Sequence, residues 1–168
     1  IGSRAIPPTN PTLTFVNGGE ADIHGGEVGV EFWPLPWLSG FVNYAYQDID
    51  QNLTGTVRRG GPHHKVNTGL RGEWDNGLNV EAVIHYVGAA TYPISSIFAA
   101  AASITGSPAP NTSVDSYTLI NLRGGYRFWN DQLELAISIF NALNDKHNEH
   151  PLGEIIGSRA MGWITFRY

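Results

Sequence analysis

Arg159-Ala-Met-Gly-Trp-Ile-Thr-Phe-Arg-Tyr168 is the stretch whose reading decides the fold. Its alternate positions separate cleanly. Ala160, Gly162, Ile164, Phe166 and Tyr168 fall on one face of an extended chain; Arg159, Met161, Trp163, Thr165 and Arg167 fall on the other. The pattern predicts a β-strand that runs to the last residue. In water such an edge, with Phe and Tyr turned outward, would invite pairing with other chains. A strand that closes a membrane barrel has the opposite requirement, so the expectation is a transmembrane β-barrel.

Composition permits this reading. The 168 residues are 42% hydrophobic, close to a globular average, and contain no run of about 18 apolar residues that could form a transmembrane helix. Barrel strands alternate lipid-facing with polar residues and give only a weak hydropathy signal. Twenty glycines and an aromatic content of 11% suit tight turns and amphipathic rings at an interface. A net charge of -5 leaves no electrostatic footprint for nucleic acid, and zero cysteines exclude a disulfide scaffold or thiolate metal site. The chain opens on Ile1 with no apolar signal segment in view. Either a mature protein starts there or the chain is a piece of something longer.

Outward from the terminal stretch, the rest of the chain repeats its pattern. Residues 1–11, with Pro7, Pro8 and Pro11, read as loop. One long strand is expected from Leu13 to Trp33, with His24, Gly26, Val28, Val30 and Phe32 opposing Gly25, Glu27, Gly29, Glu31 and Trp33. A turn at Pro34-Leu-Pro36 leads to a strand over Trp37 to Ile49 with Leu38, Val42, Tyr44 and Tyr46 on one face. The strand Lys65 to Trp74 sets Val66, Thr68, Leu70, Gly72 and Trp74 against Lys65, Asn67, Gly69, Arg71 and Glu73. Asp75-Asn-Gly77 is a strong hairpin signal, and the return strand runs from Leu78 to about Tyr92. Ser116 to Trp129 and Leu133 to about Asn141 complete the set before the terminal strand. The alanine run Ile97 to Ala102 reads as small-residue loop rather than helix.

Two regularities outweigh any single strand. Connections alternate between tight turns (34–36, 75–77, 130–131) and long loops (50–63, 93–115, 144–158), as in the wall of an outer-membrane barrel. Phe32, Trp33, Trp37, Trp74, Phe128 and Trp129 gather near the short turns, as an interfacial girdle would. One strand face carries Glu27, Glu31, Lys65, Arg71, Glu73, Glu81, His85, Arg123, Arg127, Glu134 and Arg167, and the other is almost uncharged. Alternation alone also fits a soluble β-sandwich. The long strands, the uniform Tyr- and Leu-rich apolar face and the mixed-sign polar face favour a wet lumen inside and lipid outside.

In order and spacing, several segments resemble the C-terminal barrel of TonB-dependent outer-membrane receptors. They are Asn17-Gly-Gly-Glu-Ala21 with Gly26-Glu-Val-Gly-Val-Glu31, Tyr44-Ala-Tyr-Gln-Asp48, Pro62-His-His-Lys-Val-Asn-Thr-Gly-Leu70 and Ile139-Phe-Asn-Ala-Leu-Asn-Asp145. Gly157-Ser-Arg159 before a strand ending in an aromatic completes the set. The resemblance implies an all-β, antiparallel wall of about 7 or 8 strands forming the last part of a barrel of about 22. It implies residues 1–168 as a single barrel segment in the bacterial outer membrane, with the plug domain absent. The function implied is energised uptake of a scarce nutrient such as a ferric siderophore or other metal chelate. The partners implied are outer-membrane lipid, TonB acting through a plug, and the barrel-assembly machinery, whose recognition signal would be Ile164, Phe166 and Tyr168. If residues 12–33 instead split at Gly18-Gly19, eight strands result, enough for a small self-contained barrel with a structural or adhesive role. Ile1-Gly-Ser-Arg-Ala5 recurs as Ile156-Gly-Ser-Arg-Ala160 with no accompanying repeat, so a repeat protein is not implied.

Chemistry-bearing clusters are few. His63 and His64 end one long loop, and His147 and His150 sit in another with Glu149. These imidazoles are candidate ligand contacts, although two adjacent histidines beside a proline also suit a turn leading into a strand. Arg123 and Arg127 share a strand face and could meet an anionic ligand in the lumen, but pairing with neighbouring glutamates explains them more simply. No nucleophile, base and orienting group converge, so no catalytic site, resident metal or cofactor is expected.

Overall fold

A computed structural model describes residues 20–53, 56–57, 60–92, 105–106, 112–151 and 153–168. Seven long strands, β1 (Ala21–Leu35), β2 (Leu38–Leu53), β4 (His64–Glu73), β5 (Leu78–Val87), β8 (Tyr117–Phe128), β9 (Leu133–Phe140) and β10 (Arg159–Phe166), form one antiparallel sheet in the order β1-β2-β4-β5-β8-β9-β10. Two-residue strands decorate it at the loop end: β3 (Thr56–Val57) pairs with β2, and β6 (Ala90–Thr91) pairs with β7 (Ser113–Val114). Each long strand pairs with the next long strand in the sequence, the arrangement expected of a meander with short connections. β1 and β10 occupy the two edges and do not pair with each other, so among the described residues the wall is open.

The register carries the sequence alternation across the whole sheet. Val30, Val42, Thr68, Ile84 and Ile120 are successive cross-strand partners, as are Tyr126, Leu135 and Ile164. Three residues along, Ser39, Arg71, Glu81, Arg123 and Ser138 form a polar row on the opposite face, which Met161 ends. The apolar face has nothing packed on it. Val30, Leu70, Ile137 and Ile164 are 56%, 51%, 55% and 77% exposed, and no side chain is fully buried. The soluble sandwich fails here, because no second sheet among the described residues covers this face.

Of the short connections, the first is tighter and later than its sequence predicts, the second falls at 75–77 as expected, and the third runs longer, over residues 129–132. β1 and β2 meet in a two-residue turn at Pro36-Trp37, with a bulge between Phe32 and Leu35. In the next hairpin Gly77 has φ 93°, and a Cβ there would collide with the Arg127 carbonyl, so the glycine of Asp75-Asn-Gly77 is required twice over. Asn76 adds a side-chain acceptor for the Leu78 N–H at 3.0 Å. In the third, Trp129, Asn130 and Asp131 all have positive φ; Asn and Asp tolerate this conformation better than Trp does. Trp37 and Trp74 stack at 5.2 Å beside these turns, and Tyr126 packs against Phe128 at 4.7 Å.

Corrections cluster at the strand ends. The terminal strand stops at Phe166 rather than at the last residue. The Arg167 N–H still bonds the Gln132 carbonyl at 2.7 Å, and Tyr168 is fully exposed. β2 continues through Leu53 into residues read as loop, and the strand expected to reach Tyr92 breaks after Val87. The loop expected at residues 1–11, the strand start at Leu13, the Gly18-Gly19 split and the Ile97 to Ala102 run lie outside the described residues.

A measure of span supports the membrane placement. From His64, beside Tyr44 and Tyr46, to Trp74 is ten residues. At ~3.4 Å per residue and ~45° tilt that gives a height of about 24 Å, matching the ~25 Å apolar band between aromatic girdles. Replacing Leu70 or Ile120 by Arg should therefore cost ~2–4 kcal/mol of insertion stability. Asn67→Arg, on the lumenal face, should be tolerated. Heat-modifiable mobility of the membrane-inserted protein tests this; equal damage at both kinds of site would contradict the assigned faces.

Candidate functional site

The lumenal face concentrates its charge near the short-turn end. Arg123 on β8 donates one guanidinium N–H to Asn79 Oδ1 on β5 and another to Glu134 Oε1 on β9. Glu134, whose side chain is only 10% exposed, takes Arg167 on its other oxygen at 3.4 Å. Arg71 pairs with Glu73 at 2.9 Å, and Arg127 lies 3.9 Å from Glu73 and 3.5 Å from Asp131. A cleft of about 350 Å³ lies over these groups and also reaches Glu81. Gly125 makes the centre possible: a Cβ there would stand 2.7 Å from Asn79 Oδ1 and 3.1 Å from Glu134 Oε1. Arg123 is thus paired with Glu134 of the adjoining strand, while Arg127 lies between Glu73 of β4 and Asp131 of the β8–β9 turn.

The histidines lie at the opposite end, where the long loops leave the sheet. His64 Nδ1 and the Tyr44 hydroxyl share a hydrogen bond of 2.9 Å, and the His64 ring lies 5.4 Å from that of Tyr46. His63 Nδ1 donates to the Gln47 carbonyl at 3.1 Å and lies 3.3 Å from Asp48. In the β9–β10 loop His147 is buried, stacked on Tyr117 at 4.1 Å, and Nδ1 donates to the Asp145 carbonyl at 2.8 Å. His150 meets the ring of Tyr92 edge-on at 5.0 Å. Among the described residues no three His, Asp or Glu side chains converge as a metal site.

Sequence reading missed what folds this loop. Asn141 and Asn144 take positive φ, and Asn141 is almost completely buried. Its side chain donates to the Asp145 carbonyl at 2.8 Å and accepts the Asp145 N–H at 3.0 Å. Asn121 Oδ1 accepts the Asn141 N–H at 3.0 Å, and Asn144 Oδ1 accepts the Ser158 N–H at 3.0 Å. The Asn141-Ala-Leu-Asn-Asp145 segment is thus a side-chain-built turn. The available signal was two asparagines three apart directly after a strand. Beside it, a polar cleft of about 380 Å³ lies between residues 113–116 and the 145–151 segment.

An uncharged outer face, a charged inner face, short turns at one end and folded loops at the other define a wall of a transmembrane β-barrel. Residues 1–142 match the family model for the TonB dependent receptor-like β-barrel, and the chain belongs to that family. Among solved structures it is similar in fold to the copper transporter OprC. The TM-score is 0.63 at 16% identity, over 87% of this chain and 23% of that one. The chain therefore spans under a quarter of OprC's length. Comparison with curated protein sequences gives no significant match.

Removing Glu134 takes from Arg123 its carboxylate, leaving it Asn79, and leaves Arg167 only the Asp131 carbonyl at 3.2 Å. Glu134→Ala should cost ~3–5 kcal/mol, as for a broken buried pair, whereas Arg167→Ala at a half-exposed position should cost under ~1 kcal/mol. Unfolding temperatures of the detergent-extracted receptor, read by gel mobility, should fall markedly for the first and little for the second.

Proposed function

We propose that this chain is the C-terminal part of the barrel wall of a TonB-dependent receptor in the bacterial outer membrane. The intact receptor takes up a scarce nutrient, with energy delivered by TonB through a plug domain. What carries the reading is the pairing of an uncharged lipid-side face with a charged lumenal one, in a chain of this family. The cargo class is a small metal-containing solute, a ferric siderophore or another metal chelate. Ligand contacts come from the loop end, from His63, His64 and His150 and from the polar cleft beside Asp145, to the organic shell of a chelate. His147 supports the loop that presents them, and Arg123 and Arg127 face the passage lower down.

Ile164 and Phe166 pair with Leu135 and Leu133 and are among the most exposed large side chains of the wall. With Tyr168 they form the outward row offered to the assembly machinery during insertion, and to lipid afterwards. A second reading, uptake of copper itself, takes its support from the fold shared with OprC.

Cells producing the full-length receptor, under iron limitation, should accumulate a radiolabelled ferric siderophore from a panel of chelates. A protonophore should abolish the uptake. Accumulation of copper but no iron chelate would favour the second reading. Uptake of neither, or uptake indifferent to the protonophore, would contradict energised transport of a metal-containing cargo.

A further inference from the structure

The β9–β10 loop contains a buried imidazole whose outer nitrogen has no hydrogen-bond partner. A carbonyl can only accept, so the 2.8 Å contact to the Asp145 carbonyl fixes the His147 proton on Nδ1. The neutral ring then presents a bare lone pair at Nε2. That atom is buried, makes no hydrogen bond, and faces Glu149 Oε1 at 3.7 Å. Two acceptors therefore oppose each other across a gap just too wide for a hydrogen bond. Nothing else in the described loop leaves a polar group so placed at the junction of two connections.

We propose that protonation of His147 clamps the β9–β10 loop by turning its contact with Glu149 into a charge-assisted hydrogen bond. Mild acid thus stiffens this loop. The groups around the ring favour this outcome. Tyr117 from β8 stacks on it, and the Asp145 carboxylate beside it accepts the Thr118 N–H at 3.4 Å. Asp115 and Lys146 line the adjoining cleft with it. Of the charged groups, Glu149 faces the ring, and Asp115, Asp145 and Lys146 line the cleft it borders. Glu149, with its side chain 52% exposed, is partly screened, so the effect is modest.

The clamp reaches a second connection. The Tyr92 hydroxyl donates to the Glu149 carbonyl at 3.3 Å, and the Tyr92 N–H bonds the Thr112 carbonyl at 2.8 Å, continuing the β6–β7 ladder. Holding Glu149 therefore holds the β9–β10 loop against the β6–β7 stem. The inference concerns the loop's own fold and does not depend on the cargo.

Hydrogen exchange of the full-length receptor in detergent, corrected for the intrinsic pH dependence of amide exchange, tests this. Between about pH 7.5 and pH 5.5, protection of residues 144–158 should rise about fivefold, the scale of a partly screened charge-assisted bond. Glu149→Ala should remove the rise while leaving protection at the higher pH unchanged, and Glu149→Asp should restore part of it. Unchanged wild-type protection, or a rise that persists in Glu149→Ala, would overturn the proposal. His147→Phe keeps the stacking on Tyr117, so a rise surviving in that variant would also overturn it.

Discussion

Inside a hydrocarbon layer a backbone N–H has no water to turn to, and this constraint governs the whole wall. Each unsatisfied group would cost several kcal/mol, so every strand must find a partner on both sides. The unbroken succession of antiparallel ladders from β1 to β10 meets that requirement for all interior strands. Among the described residues β1 and β10 meet it on one side only. Regular structure ends where the requirement lapses. At the loop end, two-residue strands and side-chain-built turns take over from the ladder.

Register is the second consequence. A slip by one residue in any pair would turn Arg71, Glu81, Arg123 or Glu134 towards lipid, at a cost of roughly 2–4 kcal/mol for an arginine at mid-bilayer and less for a glutamate or nearer the interface. The lumenal ion pairs add a positive preference for the observed register, because Arg123 reaches Asn79 and Glu134 only when β5, β8 and β9 are aligned as they are. Gly125 belongs to the same device, since any side chain there would occupy the space where these groups meet. The charges are spread over four strands and the residue following β10, so they join the wall laterally as the ladders do.

Much of this was legible in the sequence, for a physical reason. A lipid-facing position admits no charge, so the two-residue period of Lys65 to Glu73 or Leu133 to Phe140 is almost noise-free. Asp75-Asn-Gly77 announced its turn because few residues accept positive φ. Strand ends were less legible. Beyond the bilayer both faces are wet, the alternation fades, and β2 ran on past the point where its pattern stopped. The roles of individual polar residues were least legible of all. Glu134 looks like any other lumenal glutamate until the register sets it between Arg123 and Arg167. The histidines drew attention by residue type, yet the fold of their loop depends on Asn141, whose partner Asn121 sits on another strand.

The central claim is that one face of this sheet meets lipid and the other an aqueous lumen. The chain has no cysteine of its own, so single cysteines can be placed along β4 and β8 of the membrane-embedded receptor and spin-labelled. Accessibility to dissolved oxygen, compared with a polar relaxation agent, reports the surroundings of each label. The account predicts a strict two-residue period, with Val66, Thr68, Leu70, Ile120 and Leu122 on the oxygen-rich side and Asn67, Gly69, Asn121 and Arg123 on the other. Uniform accessibility along either strand, or a period in the opposite phase, would contradict it.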